Sequence, residues 1–152
     1  MARQRWLTCW VPLRLELLIS PSWKLKPAPV AKIIDRLCEE HLRHGGQANG
    51  KLRVAYEQFV RTGVSRRSIK NALVCAQDLG LIEVIQDQSG EIKGSVRPPN
   101  AYRLTFVPVG KAAPSDEWKR VSEKAAAEAV ERFRTANNDR SSDQEQEEAA
   151  NA

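Results

Sequence analysis

The first long helical repeat along the chain is Val30, Ile33, Ile34, Leu37, Cys38 and Leu42. Spacings of three and four put these residues on one apolar face, with Lys32, Asp35, Arg36, Glu39, Glu40 and Arg43 opposite. Pro27 and Pro29 suit the start of this helix, and Gly45-Gly46 suits its end, where a C-cap takes left-handed backbone. Lys51 to Val54 alternates and predicts a short edge strand. A short helix over Ala55 to Thr62 carries Tyr56, Phe59 and Val60. After Gly63-Val64 a further helix runs from Arg66 to about Leu79, burying Ile69, Ala72, Leu73, Ala76 and Leu79. Ser65 stands at its N-cap, where a hydroxyl accepts from the unpaired backbone N–H groups of the first turn. Gly80 closes it.

Leu81 to Gln86 is rich in branched residues and reads as a strand. Tyr102, Leu104 and Phe106 alternate with Arg103, Thr105 and Val107 and read as its returning partner. Between them, Asp87 to Asn100 holds Ser89-Gly90, Gly94 and Pro98-Pro99 and is a loop. The order of elements predicts an α+β fold, mainly helical: a winged helix-turn-helix over residues 30–107 with a small antiparallel β-hairpin as its wing. Residues 1–29 are read as an N-terminal packing arm. In it Pro12 to Pro21 is either a short helix stopped before Pro21 or a strand, and Trp6, Trp10 and Trp23 are aromatic contacts to the domain. Residues 108–114 form a linker. Residues 115–134 form a C-terminal helix capped by Ser115, which either docks on its own domain or seams a homodimer. Residues 135–152 form a polar, disordered tail.

Charge sharpens this division. The net charge is +5, yet Thr135 to Ala152 holds five acidic residues and one Arg, so the preceding 134 residues carry +9. A basic body with an acidic end suggests an anionic partner. Cys9, Cys38 and Cys75 are widely spaced, which fits a reducing cytoplasm and offers no zinc-ligand spacing. The apolar run Leu13 to Ile19 is broken by Arg14 and Glu16 and is too short to span a membrane. His41 and His44 lie at the end of a helix without further ligands at useful spacing, so neither a metal nor another cofactor is expected. No phosphate-binding Gly-rich loop and no Gly-x-Ser-x-Gly nucleophile turn occurs, and the chain is not expected to be an enzyme.

A helix, a tight turn and a second helix is the arrangement that sets a helix into the DNA major groove. The second helix turns Arg66, Arg67, Lys70, Asn71, Val74 and Gln77 outward, with no acidic residue before Asp78. Arg bridges guanine O6 and N7, Asn and Gln do the same at adenine N6 and N7, and Val meets a thymine methyl. Arg67, Lys70 and Asn71 are therefore expected at base edges, with Val74 beside them. Ser65, Arg66 and Ser68 are expected nearer the phosphates, where the helix N-terminus also attracts an anion. Lys93 and Arg97 in the hairpin loop would add salt-dependent contacts to the backbone. Double-stranded DNA is the expected partner. The alternative is a winged helix that contacts protein, with an incidental basic face. Cys75 is placed on the exposed-to-intermediate side of the helix, as an inert thiol.

Several runs carry a resemblance: Gly45-Gly46, Asn49-Gly50, Tyr56 to Phe59, Gly63-Val64-Ser65-Arg66, Leu79-Gly80-Leu81-Ile82-Glu83-Val84, and Pro99-Asn100-Ala101-Tyr102-Arg103-Leu104-Thr105. With Leu17-Leu18-Ile19-Ser20-Pro21-Ser22-Trp23 upstream and Asp116-Glu117-Trp118 downstream, the chain resembles a bacterial winged-helix family of plasmids, phages and chromosomes over about residues 11–120. More distantly it is similar to winged-helix parts of replication initiators of mobile elements. The resemblance implies DNA binding, in transcription regulation or in replication control. Ala55 departs from the Ser or Thr that often opens the Tyr-x-x-Phe helix, and the lost cap is worth on the order of 1 kcal/mol.

Overall fold

The computed structural model describes residues 9–86 and 100–151; of residues 140–142 and 144 it describes the backbone alone. Its elements are α1 (Leu15–Leu18), α2 (Pro21–Leu25), α3 (Ala28–Arg43), β1 (Leu52–Arg53), α4 (Tyr56–Arg61), α5 (Arg66–Asp78), β2 (Ile82–Ile85), β3 (Ala101–Leu104) and α6 (Glu123–Ala150), with a 3-10 turn at Glu117–Arg120. The class is α+β. The sheet is antiparallel in the order β1-β3-β2, pairing Leu52 with Tyr102 and Ile82 with Leu104. The predicted loop between β2 and β3, with Lys93 and Arg97, lies outside the described residues apart from Asn100 at its end.

The core forms where α3 and α5 meet the sheet. Val30, Ile33, Ile34 and Leu37 of α3 are buried, as their period requires, against Ile69, Ala72 and Ala76 of α5 and Tyr102 and Leu104 of β3. The rings of Phe59 and Tyr102 meet edge-to-face at 5.8 Å, the arrangement that aligns a ring's positive edge with its neighbour's negative face.

Two residues of the turn motifs hold this core together. Asn49 is buried, and its side chain works as a piece of strand. Its Nδ2 donates to the carbonyls of Leu104 and Val107, each at 2.9 Å, and its Oδ1 accepts from the Leu104 N–H at 2.7 Å. β1 has ended by the level of Leu104, so the side-chain amide satisfies the backbone pair that a longer β1 would have met. Gly80 ends α5 at φ +72°, with the Leu81 N–H returning to the Ala76 carbonyl at 3.1 Å. A Cβ there would stand 2.7 Å from the Trp118 backbone nitrogen, so glycine is required by close approach as well as by φ.

The N-terminal arm packs as expected but with different elements. Pro21 opens α2 instead of closing a longer helix, since proline fits a first turn, and Ser20 caps it by accepting from the Trp23 N–H. Trp23 packs edge-on against Phe106, and Ser22 Oγ donates to the Leu79 carbonyl at 2.7 Å. Trp10 is exposed, and Trp6 lies outside the described residues.

The C-terminal segment also differs. Ser115 caps no helix: the chain turns through left-handed Asp116 and the 3-10 turn, which seats Trp118 in the core with its Nε1 donating to Asp116. α6 starts at Glu123 with Ser122 as its N-cap. It then continues to Ala150, through the segment expected to be a disordered tail. Glu, Gln, Ala and Arg are good helix formers, and no Gly or Pro interrupts the chain after Pro114.

Candidate nucleic-acid interface

α4 and α5 are joined at Thr62–Ser65, and the turn is built from both sides. Gly63 adopts φ +98°, and the Val64 N–H returns to the Phe59 carbonyl at 3.3 Å. Val64 is buried, plugging the angle between the helices as its apolar side chain predicts. Lys32 of α3 donates from Nζ to the Gly63 carbonyl at 3.2 Å. No local pattern announces that contact, because the two residues are 31 positions apart.

At about 100° per residue, Arg66, Gln77, Lys70, Val74 and Arg67 span an arc of about 100° on the outer side of α5. All five are exposed. Gln77 sits at the C-terminal end of this face, where its Oε1 accepts from the Val84 N–H of β2 at 2.8 Å. Arg66 pairs with Glu57 of α4. Both side chains are well exposed, so this pair contributes little and yields readily to a competing anion.

The N-cap is not as expected. Ser65 Oγ bonds the Ser68 hydroxyl at 2.7 Å instead of a backbone N–H. Ser68 is turned away from solvent and accepts from Asn137 Nδ2 of α6 at 3.3 Å. Its expected place near phosphates is therefore corrected: α6 covers it. Asn71 shares the same neighbour, donating to Asn137 Oδ1 at 3.1 Å, so it stands half-buried at the rim of the exposed arc. Cys75 is buried as well, with its thiol directed at the Ala129 carbonyl, so the exposed-to-intermediate placement was wrong. Burial pushes the Cys75 and Cys38 thiols up to about 12, which leaves both protonated and unreactive at neutral pH.

These contacts make α6 antiparallel to α5. Asp78 meets Arg132 at 3.4 Å near one end, and Ser68 and Asn71 meet Asn137 near the other. Past Asn137, α6 continues through Ala150, about 20 Å of further helix at 1.5 Å per residue. That extension carries Asp139, Asp143, Glu145, Glu147 and Glu148. Sequence periodicity left docking of this helix as one of two alternatives and did not locate its partner face, because the contacts span 54 to 69 positions.

Among the described residues no three His, Cys, Asp or Glu side chains gather as metal ligands, and no helix is long and apolar enough to cross a membrane. Many residues that carry the resemblance have structural duties. Asn49 and Gly80 are described above. Arg103 pairs with Glu83 and Glu117, and Thr105 Oγ1 donates to the Gly80 carbonyl at 2.6 Å. Asp116 holds Trp118 and pairs with Arg14. Comparison with family models, with curated proteins and with solved structures finds no match to this chain in any of the three.

Proposed function

We propose that this chain is a winged helix-turn-helix protein, of the bacterial family its residues resemble, that binds double-stranded DNA through α5 in transcription regulation or replication control. The observation that carries the reading is the outward arc of α5. It presents two arginines, a lysine and an apolar Val74 without a carboxylate on the arc itself. Arg67 and Lys70 are assigned to base edges and Val74 to a thymine methyl. Arg66 leaves Glu57 for a phosphate. Asn71 reads a base only by exchanging its bond to Asn137. Ser65 remains near the backbone at the helix N-terminus, Ser68 drops out, and Lys93 and Arg97 are assigned to the phosphates as a wing. The mechanism is occupation of a site, with no chemical step.

The test is an anisotropy titration of mixed-sequence duplex DNA at two salt concentrations. Affinity is expected to fall steeply with salt, and Arg67→Ala with Lys70→Ala to weaken binding at least about tenfold and flatten the salt slope. Salt-independent affinity, or a double variant that binds as tightly as the parent, overturns the reading. A protein-contact module is the second reading. It draws support from the apolar side chains exposed on α1.

A further inference from the structure

The arm carries an apolar surface that the DNA reading leaves unused. α1 buries Leu17 completely, yet Leu15, Leu18 and Ile19 on its other side are 73%, 38% and 57% exposed. Spacings of three and four place these three side chains on one face. Leu13 and Trp10 just upstream and Leu25 on α2 are exposed as well. The arm holding them is well fastened. Arg14 pairs with Asp116, Ser20 Oγ donates to the Leu17 carbonyl at 2.6 Å, and Trp23 packs on Phe106.

We propose that this apolar surface of the arm, the outer face of α1 with Trp10, Leu13 and Leu25, binds the same surface of a second copy of the chain. Area argues for it. The six exposed side chains present about 600 Å² of apolar surface, the upper end of what a monomer leaves uncovered. Two such faces together bury about 1,200 Å², the lower limit for a specific, stable interface. Charge argues for it too. Arg14 and Glu16 flank the leucines with opposite signs, and a two-fold axis brings each toward its opposite in the other copy. The seam is thus assigned to α1 and not to α6, whose extension beyond Asn137 is polar and has no apolar stripe. The proposal stands apart from DNA binding, although a dimer would supply two copies of α5 for paired half-sites one DNA turn apart.

Sedimentation of the full chain between about 1 and 100 µM, without DNA, tests it. The mass is expected to rise from 17.1 kDa to twice that value. Leu15→Lys with Ile19→Lys is expected to keep the helical circular dichroism and urea midpoint, because both positions are exposed, and to raise the dimer Kd at least about 100-fold. Leu15→Ala with Ile19→Ala, a milder pair, is expected to raise it about tenfold. A chain that stays monomeric at 100 µM overturns the proposal, as does a dimer that survives both pairs of substitutions. A monomer that instead sediments with vesicles of phosphatidylcholine and phosphatidylserine overturns it in favour of a lipid surface.

Discussion

Replacing Asn49 by Ala removes the amide that stands in for a strand beside Leu104. Four hydrogen bonds disappear: two donated to the Leu104 and Val107 carbonyls at 2.9 Å, a longer one to the Pro108 carbonyl at 3.4 Å, and one accepted from the Leu104 N–H at 2.7 Å. A typical internal hydrogen bond contributes about 1 kcal/mol net, and a donor left buried without a partner costs about 1–3 kcal/mol. Asn49 is only 5% exposed, so water does not easily replace it, and the expected loss is about 3 kcal/mol. That corresponds to a drop in Tm on the order of 10 °C for a chain of this size. Urea unfolding followed by circular dichroism measures it as a lower midpoint at unchanged slope. Asn49→Asp provides a control. It keeps an acceptor for the Leu104 N–H but sets a carboxylate against two carbonyls, so it should destabilise more than Ala at pH 7. Such a carboxylate is held above its ordinary pKa in the folded state, so protonation on acidification should restore part of the loss. A loss below about 1 kcal/mol for Asn49→Ala would refute the reasoning and reduce Asn49 to a simple turn residue.

Three further outcomes are expected. Ala55→Ser should stabilise the protein by about 1 kcal/mol in the same urea assay, since the Gln58 side chain already accepts from the Ala55 N–H at 2.8 Å and only the reciprocal cap is missing. Truncation after Asn138 removes the five carboxylates that α6 carries past Asn137 and should tighten duplex binding, most at low salt; an unchanged titration would show that the extension does not act on the basic face. Burial lowers the pKa of His41 below its ordinary 6.5, so the unfolded chain binds this proton more readily. Stability should therefore be complete above about pH 6.5 and fall as pH drops from there through the folded pKa, and His41→Leu should flatten that part of the urea-midpoint profile.

Much of the architecture was legible because its signals are local. The apolar period of α3, the glycines at 45, 46, 63 and 80, and the alternation of β3 each read out within a few residues. The outward positions of Arg66, Arg67, Lys70 and Val74 follow from the same period. Two local readings were incomplete or failed for local reasons. The short helix stopped before Pro21 is α1, but proline can start a helix as well as stop one, and Pro21 also starts α2. A polar, charged segment can be a solvated tail or an exposed helix, and the segment after Thr135 continues α6.

The sequence by itself determined which residues of α5 could face outward, because helical geometry and the need to bury Ile69, Ala72 and Ala76 leave one arc for the basic side chains. Only the tertiary structure decided how wide that arc is. α6 returns antiparallel along α5, withdraws Ser68 and Cys75, and ties Asn71 to Asn137. Periodicity specifies which face of a helix is apolar, but a polar rim such as Ser68 and Asn71 satisfies its hydrogen bonds equally well with water or with another helix. The choice between them is made by packing more than 60 residues away.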